Sequence, residues 1–198
     1  HIRCHKNMGM VSEVFNQKVL DKLPKSRWAV GHNRYSTTGN TTVKNVQPFV
    51  TEYLTGRIAT VHNGRVTNAE QIKAALKQNG LRFEATSDSE VVSSLVAYCI
   101  VQTGDLFTGM VKAVEQLEGA FSLIVLCGDG RLLAARDPYG YRPLCIGQNE
   151  SGMAIASESC AFDSCGFTLL RDVQPGEVLL IQNGTITNTA ILPKPKSG

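Results

Sequence analysis

The middle of the chain carries apolar residues at helical spacing. The pattern predicts a helix over residues 67–79, which begins with a capping box formed by Thr67 and Glu70. A second helix is predicted to begin at residues 87–88, where serines and acidic residues suit a cap and a first turn. A third is predicted over residues 105–117. Three helices in succession indicate a helical layer.

Apolar runs on both sides of these helices predict strands. Residues 28–32 and 57–62 are each predicted to form a strand that ends at a polar cluster, with Asn63-Gly64 at the tip of the second. The continuous apolar run of residues 120–127 predicts a buried strand. Shorter strands are predicted over residues 131–136, 145–147, 153–157, 168–172 and 177–182. Because strands and helices occur in separate runs, the predicted class is α+β with layered sheets, not a doubly wound parallel sheet.

Length and charge exclude several kinds of protein. The 198 residues, 42% of them hydrophobic and 19% charged, suit one large domain with its own core. The formal net charge of +3 is too small and too scattered to indicate a nucleic-acid partner or an anionic membrane. No apolar run approaches the ~18 residues needed to cross a bilayer. No signal peptide is recognisable at the start of the sequence.

The six cysteines are interpreted as mostly buried free thiols. Four of them sit in or beside apolar runs, and no two form a Cys-x-x-Cys pair: Cys99, Cys127, Cys145 and Cys160. In a chain without a secretory signal this pattern favours a reducing, cytoplasmic compartment over disulfides. No Cys or His pair has the spacing of a zinc finger, so no metal site is expected in this chain.

Two polar clusters that follow predicted strands carry candidate chemistry. Arg34, within GHNRYSTTGN, can hold a carboxylate through two parallel hydrogen bonds, but taken alone it is more simply a structural arginine in a turn. The side-chain amide of Asn63 and the backbone N–H of Gly64 can form an oxyanion hole, in which one donor is worth ~3 kcal/mol. Asn-Gly is also the strongest short hairpin signal, although a predicted helix follows it here.

Asp88 is the third candidate. At the start of a predicted helix it is most simply a cap, but Ser87 or Ser89 can cap instead and leave its carboxylate to hold an α-ammonium group. An arginine, an Asn-Gly pair and an aspartate together suit the charged ends and the side-chain carbonyl of glutamine. The histidines have no serine or cysteine partner at a recognisable spacing, so a catalytic triad is not supported.

The segment RDPYGYRP, residues 136–143, is interpreted as a rigid loop that forms a wall of the site. Arg142 is expected to pair with Asp137 or Glu158 within it. We expect this loop to provide architecture and not chemistry.

Eight segments, in order along essentially the whole chain, resemble the glutaminase domain of class II glutamine amidotransferases, and within that class the amidophosphoribosyltransferases. They are KNMGMVSEVF, GHNRYSTTGN with NVQPF, VHNGRVTNA, ATSDSEVV, GAFSLIVL, RDPYGYRPLCIG, ASESCAFD and VQPGEVLLI. Any one is weak evidence, but eight in this order are specific. The QPF and RDPYGYRPL segments favour this family over the related glucosamine-phosphate synthases.

The resemblance implies a four-layer αββα N-terminal nucleophile hydrolase fold, in which helices flank two packed antiparallel sheets. The glutaminase domain would cover residues 1–192, and residues 193–198 would be a tail or the start of a linker. The resemblance also implies a role for each candidate side chain. Arg34 would bind the glutamine carboxylate, Asn63 and Gly64 would form the oxyanion hole, Asp88 would bind the ammonium group, and Tyr35 and Thr37 would shape the pocket.

The family implies an activity that this chain matches only in part. Its members release ammonia from glutamine and transfer it to phosphoribosyl diphosphate, giving phosphoribosylamine in the first step of de novo purine synthesis. The family nucleophile is a cysteine at the mature N-terminus. It has no counterpart here, and Cys4 is no substitute because it is not terminal. This chain alone is therefore expected to be inactive.

The resemblance also bears on cofactors and partners. This chain should hold no cofactor, because the family's Mg²⁺ site belongs to a phosphoribosyltransferase domain that is absent here. Some members carry an iron–sulfur cluster, so a longer parent protein could hold one. The parent is expected to be a homo-oligomer. Two alternatives stay open: a truncated, catalytically dead paralogue that binds glutamine or a partner, and another class II amidotransferase with a different acceptor.

Overall fold

The computed structural model of the protein describes residues 1–33 and 42–194. Its helices are α1 (Val11–Val14), α2 (Gln17–Leu20), α3 (Ala69–Gln78), α4 (Asp88–Thr103), α5 (Leu106–Val114) and α6 (Cys160–Cys165), with a 3₁₀ turn at Val43–Asn45. Its strands are β1 (Phe49–Tyr53), β2 (Gly56–Val66), β3 (Gly119–Cys127), β4 (Leu132–Arg136), β5 (Cys145–Asn149), β6 (Gly152–Ala156), β7 (Thr168–Asp172), β8 (Glu177–Gln182) and β9 (Thr185–Ile191).

The strands form two antiparallel sheets. The larger has the order β1-β2-β3-β4-β8-β9, and the smaller has the order β6-β5-β7. The two sheets pack face to face through buried residues such as Ala134 and Leu179 of the larger sheet and Ile146 of the smaller. This packing explains why β3 is a continuous apolar run, since one of its faces meets the second sheet and the other meets helices.

Helices α3, α4 and α5 cover the other face of the larger sheet. Their apolar residues share one core with β2, β3, β4 and β8. Helix α4 is buried along most of its length, because it lies between the sheet and its two neighbouring helices. Gly109 of α5 lies so close to the backbone of Ile100 that a Cβ would come within 2.6 Å of the Ile100 Cα. This glycine therefore lets α4 and α5 approach closely.

The predicted α+β class, with two antiparallel sheets and helices in layers, is confirmed. The prediction for the second helix is also confirmed, because Ser87 is its N-cap and Asp88 its first residue. Strands β7 and β8 have the predicted bounds.

Three local predictions are wrong. The capping box of Thr67 and Glu70 does not form, because the Thr67 N–H donates to the carbonyl of Glu118 and the helix begins after Asn68. Residues 28–32 do not form a strand. Strand β2 continues through Asn63-Gly64 to Val66, so this dipeptide lies inside a strand and is neither a tip nor a hairpin turn.

The interpretation of the cysteines is correct in part. All six are free, and Cys99, Cys127 and Cys145 are buried. Cys160, which was expected to be buried, is exposed, as is Cys165, because the short helix α6 lies on the surface of the smaller sheet and buries only Phe162. Within residues 1–33 and 42–194, no helix is long and apolar enough to cross a bilayer.

Candidate functional site

One end of β2 lacks a strand on one side. β1 pairs with β2 only as far as Phe49 opposite Thr60, whereas β3 continues along β2 to Gly119 opposite Val66. Among the described residues, residues 61–66 of β2 therefore have a strand neighbour on the β3 side alone. We call the other side of this stretch the open edge of β2.

The backbone of Gly64 faces the open edge. In an antiparallel ladder both backbone polar groups of a residue point the same way, and successive residues alternate. Phe121 of β3 directs its N–H and C=O toward Asp137 on the β4 side. Gly64 lies opposite Phe121, so its own N–H points away from β3. By the same alternation, His62 and Val66 also direct their amides to the open edge.

Side chains of residues outside β2 accept hydrogen bonds from two of these three amides. The His62 N–H donates to Oε1 of Gln47 at 2.6 Å, and the Val66 N–H donates to Oδ2 of Asp88 at 3.0 Å. The Gly64 N–H lies between them, and within the described part of the chain no side chain or loop carbonyl accepts it. A single backbone donor is thus left facing outward, which is what an oxyanion hole requires.

Gly64 cannot be replaced without distortion. Its φ is +127°, a conformation that residues with a Cβ rarely adopt. A Cβ built on Gly64 would also collide with the backbone carbonyl of Ala120. The glycine in this dipeptide is therefore explained by its place in the sheet and not by a turn.

The Asn63 side chain is oriented by His32. Asn63 Oδ1 lies 2.8 Å from His32 Nε2. Because an amide oxygen can only accept, His32 must carry its proton on Nε2 in this contact. Among the described residues nothing else bonds to the Asn63 side chain, so its Nδ2 hydrogens are available to a ligand as a second donor.

The Asp88 carboxylate has hydrogen-bonding capacity that the described residues do not use. Ser87 Oγ accepts the Ser89 N–H and caps helix α4, so Asp88 does not serve as the cap. Its side chain is 26% exposed, and one of its oxygens accepts from Val66. In the described part of the chain no lysine or arginine forms an ion pair with it.

His62 does not neutralise Asp88. Its Nδ1 lies 3.9 Å from Asp88 Oδ1 and 3.0 Å from Ser89 Oγ. The pKa of His62 is lowered from 6.5 to about 4, chiefly by burial; the charge of Asp88 opposes the shift, and His32 and Arg142 add to it. The ring is neutral at pH 7, so this contact is not an ion pair and the charge of Asp88 remains available to a cation.

The loop after β4 is locked by two side chains. Asp137 is fully buried and accepts the N–H groups of four residues, while Arg136 donates to three backbone carbonyls. The prediction that this loop is rigid architecture agrees with these contacts. The Arg142 group that binds Asp137 is its backbone amide.

The predicted site residues are therefore only partly within the described chain. Asn63, Gly64 and Asp88 lie together at the open edge, whereas Arg34, Tyr35 and Thr37 fall outside the described residues. Sequence reasoning missed Gln47, His32 and His62. Only the polar segments NVQPF, GHNRYSTTGN and VHNG, which contain Gln47, His32 and His62 respectively, marked these three as unusual.

Four thiols of the described chain have a raised pKa, which does not activate them as nucleophiles. Burial raises the pKa of the Cys4 thiol, and the nearby positive charge of Lys6 opposes this without reversing it. Burial likewise raises the pKa of Cys99 and Cys145, and raises that of Cys127 to about 12. Within residues 1–33 and 42–194, no three metal-ligating side chains are grouped so as to hold a metal ion.

Comparison with protein families and known proteins gives a consistent picture. The glutamine amidotransferase domain family matches residues 32–164. Amidophosphoribosyltransferase 1, chloroplastic, of Arabidopsis thaliana is 44% identical over 188 residues, which are 94% of this chain and 32% of that protein. The amidophosphoribosyltransferase of Archaeoglobus fulgidus is 39% identical over 94% of this chain and 40% of its own length.

Solved structures resemble the fold closely. An allosteric regulatory enzyme of purine biosynthesis superimposes with a TM-score of 0.85 and 36% identity, over 94% of this chain and 39% of that one. The glutamine phosphoribosylpyrophosphate amidotransferase from B. subtilis, complexed with ADP and GMP, gives a TM-score of 0.81 and 35% identity, over 92% and 38%. The chain thus spans 32% to 40% of the length of these relatives.

Proposed function

The chain belongs to the glutamine amidotransferase domain family, and we propose that it binds glutamine and activates the side-chain amide for release of ammonia. Asn63 Nδ2 and the Gly64 N–H donate to the amide oxygen as negative charge develops on it. Asp88 holds the α-ammonium group. Arg34 binds the α-carboxylate, and Tyr35 and Thr37 line the pocket around it, as the resemblance implies.

The spacing of the donors suits this substrate. The Asp88 carboxylate accepts the N–H of Val66, which lies two residues from Gly64 along β2. Two residues of a strand span about 7 Å. The α-nitrogen and the amide oxygen of an extended glutamine, each at hydrogen-bond distance from its partner, fit within such a span. The neutral His62 ring leaves the Asp88 charge to the ammonium group.

The chemistry is amide transfer through a thioester. A cysteine thiolate attacks the amide carbon, the carbonyl π electrons move onto oxygen, and the Asn63 and Gly64 donors stabilise this oxyanion. When the carbonyl re-forms, the C–N bond breaks and the nitrogen leaves as ammonia, taking up the proton that the cysteine thiol released when it ionised. Water then cleaves the thioester to glutamate. We propose that the thiolate belongs to a cysteine outside this sequence, because burial raises the pKa of Cys4, Cys99, Cys127 and Cys145.

For the whole protein we propose the activity of amidophosphoribosyltransferase. Residues 1–192 would be the glutaminase domain, and the ammonia would react with phosphoribosyl diphosphate to give phosphoribosylamine. The high identity to proteins of that name supports this acceptor. Mg²⁺ and any iron–sulfur cluster would be held outside the described residues. We propose a homo-oligomer in the cytoplasm, which suits six free cysteines.

The observation that carries the proposal is the Gly64 amide, which no described residue accepts, between the Gln47 and Asp88 contacts and next to a carboxylate that pairs with no described lysine or arginine. It is tested by calorimetric titration of the 198-residue chain with L-glutamine and with N-acetyl-L-glutamine, which lacks the ammonium group. We expect binding of L-glutamine without ammonia release. Asp88→Asn should weaken this binding by about ten- to a hundredfold and abolish the preference over the acetylated ligand.

The matched control is Asp105→Asn, which changes an acidic residue at the start of the neighbouring helix α5 and keeps a good cap. It should leave glutamine affinity unchanged. Equal loss in both variants, or equal affinity for the two ligands in the unsubstituted chain, would contradict the assignment of Asp88.

In the full-length gene product, phosphoribosylamine formation from glutamine and phosphoribosyl diphosphate tests the acceptor, and ammonia release that is indifferent to this acceptor would favour another amidotransferase.

A further inference from the structure

We propose that Gln47 is the positioning residue that fixes the oxyanion hole and the ammonium-binding carboxylate relative to one another. The inference rests on the proposed glutamine site, because it assigns a role to a residue that does not itself face the ligand. Gln47 lies before β1, while the groups it would position lie on β2 and at the start of α4.

The Gln47 side chain binds both of these elements. It is buried, with 6% of its surface exposed. Its Oε1 accepts the His62 N–H at 2.6 Å, and its Nε2 donates to the His62 carbonyl at 2.9 Å and to Ser89 Oγ at 3.3 Å. His62 directly precedes Asn63, and Ser89 directly follows Asp88. The Gln47 amide therefore contacts one residue next to the oxyanion donors and one residue next to the ammonium-binding carboxylate.

The position of Gln47 along the sheet explains this arrangement. The β1–β2 register pairs Phe49 with Thr60, so continuing it by two residues would pair Gln47 with His62. Instead of a backbone ladder, the side-chain amide supplies one acceptor and one donor to His62. The strand ladder ends here, and the next outward-facing amide, that of Gly64, is left to the ligand.

The remaining groups complete the connection between strand and helix. His62 Nδ1 lies 3.0 Å from the same Ser89 Oγ that accepts from Gln47. Helix α4 is therefore held to β2 at its first turn through Gln47, His62 and the Asp88–Val66 hydrogen bond. If Gln47 is removed, we expect β2 and the start of α4 to separate, which moves the carboxylate away from the oxyanion donors.

A second amide elsewhere in the protein provides a matched control. Asn68 donates to the Gln116 carbonyl at 2.8 Å and accepts the Glu118 N–H at 3.1 Å, so it also holds one backbone donor and one backbone acceptor. It contacts neither β2 near Gly64 nor the first turn of α4. A purely structural role predicts that loss of either amide has the same consequences.

The first measurement needs no ligand. In amide ¹H–¹⁵N spectra of the 198-residue chain, Gln47→Met should shift the Gly64 and Val66 resonances, whereas Asn68→Leu should leave both unchanged. If Gln47→Met does not fold, Gln47→Asn replaces it, because it keeps the amide but is one methylene too short to reach both His62 and Ser89. Unchanged Gly64 and Val66 resonances would overturn the proposal.

The second measurement uses L-glutamine as the probe, at a temperature where all variants are folded. Gln47→Met should weaken binding about tenfold, and Asn68→Leu should not. Added to Asp88→Asn, Gln47→Met should cause little further loss, because both act on the same contact. Full additivity, or equal effects of Gln47→Met and Asn68→Leu, would overturn the positioning role. Failure of the unsubstituted chain to bind glutamine would instead contradict the proposed function, and the spectra would still decide on Gln47.

Discussion

Two aspartates of this protein accept backbone N–H groups, and they differ in how much of their bonding capacity is used. Asp137 is fully buried and accepts four amides, those of Phe121, Tyr139, Tyr141 and Arg142. Asp88 is partly exposed and accepts one, from Val66, beside the neutral ring of His62. A carboxylate offers about four acceptor positions. The first aspartate is saturated by its own loop and by β3, and the second retains capacity for a ligand.

This difference separates a structural carboxylate from a binding carboxylate without reference to any motif. A saturated acid holds the protein together, so its loss should appear in stability. An acid with spare capacity beside uncharged neighbours should contribute little to stability and much to binding. Each prediction below tests one side of this comparison.

The largest effect is expected for Asp137→Asn. An amide presents hydrogens to two of the positions where the carboxylate accepted, so buried backbone donors lose their partners. We expect the free energy of unfolding to fall by about 4 kcal/mol, measured by urea unfolding followed by circular dichroism. A fall of less than about 1 kcal/mol would mean that the loop does not depend on this carboxylate.

Gly64→Ala should be the next most damaging change. A Cβ there meets both an unfavourable φ of +127° and the carbonyl of Ala120, so we expect a loss of about 3 kcal/mol in unfolding free energy. Gly80→Ala is the matched control, because its φ is +87° but nothing lies within 4 Å of a Cβ. It should cost only about 1 kcal/mol. Equal costs would show that the collision with β3 is unimportant.

Acid should destabilise the protein through His62. Its pKa in the folded chain, about 4, lies below the ordinary 6.5, so between these values the unfolded chain binds a proton that the folded chain does not. Stability from this residue is therefore complete above about pH 6.5 and is lost as the pH falls toward 4. Between pH 7 and pH 5 we expect a loss of about 2 kcal/mol, which His62→Gln should remove.

The groups around His62 define the control for this measurement. Asp88, His32, Arg142 and Ser89 act on or contact the ring, so its own titration should be followed directly by NMR. A ring resonance that titrates near pH 6.5 would contradict the assignment. Denaturation curves of the parent and His62→Gln that keep the same separation at pH 5 and pH 7 would also contradict it.

The smallest effect on stability is expected for Asp88→Asn. The amide oxygen can still accept the Val66 N–H, and Ser87 still caps the helix. We expect the free energy of unfolding to change by less than about 1 kcal/mol, in contrast to the loss of glutamine affinity. A loss comparable to that of Asp137→Asn would erase the distinction between the two aspartates.

The sequence predicted those elements whose pattern follows from burial. Strand β3 is buried on both faces and β8 along almost its whole length, and Ser87 gives α4 an ordinary cap. β1 and β9 lie at the two edges of the larger sheet, where much of the strand is exposed, and they were missed. These two edge strands bury too little to leave a clear apolar pattern, although the mostly exposed edge strand β7 was predicted with its bounds. The capping box does not form because the Thr67 N–H donates to the carbonyl of Glu118, the residue before β3.

Candidate residues could be named from the sequence, but their arrangement could not. Asn63, Gly64 and Asp88 were identified because amide, glycine and carboxylate chemistry can be recognised one residue at a time. Gln47 and His62 act through contacts between residues 15 to 42 positions apart. No local pattern reports such contacts. The Asn-Gly pair was assigned to a strand tip because its hairpin propensity is local, whereas its real position is set by pairing with β3.

The open edge of β2 also bears on self-association. An unpaired strand edge usually invites a further strand, since a row of free amides can pair with any extended chain. Here the amides on either side of Gly64 are already held by side chains, so only one donor is exposed. A strand from another molecule needs consecutive partners and finds none, whereas a single oxygen atom needs only one. The same two hydrogen bonds therefore let the protein expose a backbone donor at this edge while lowering the tendency of the edge to pair with another strand.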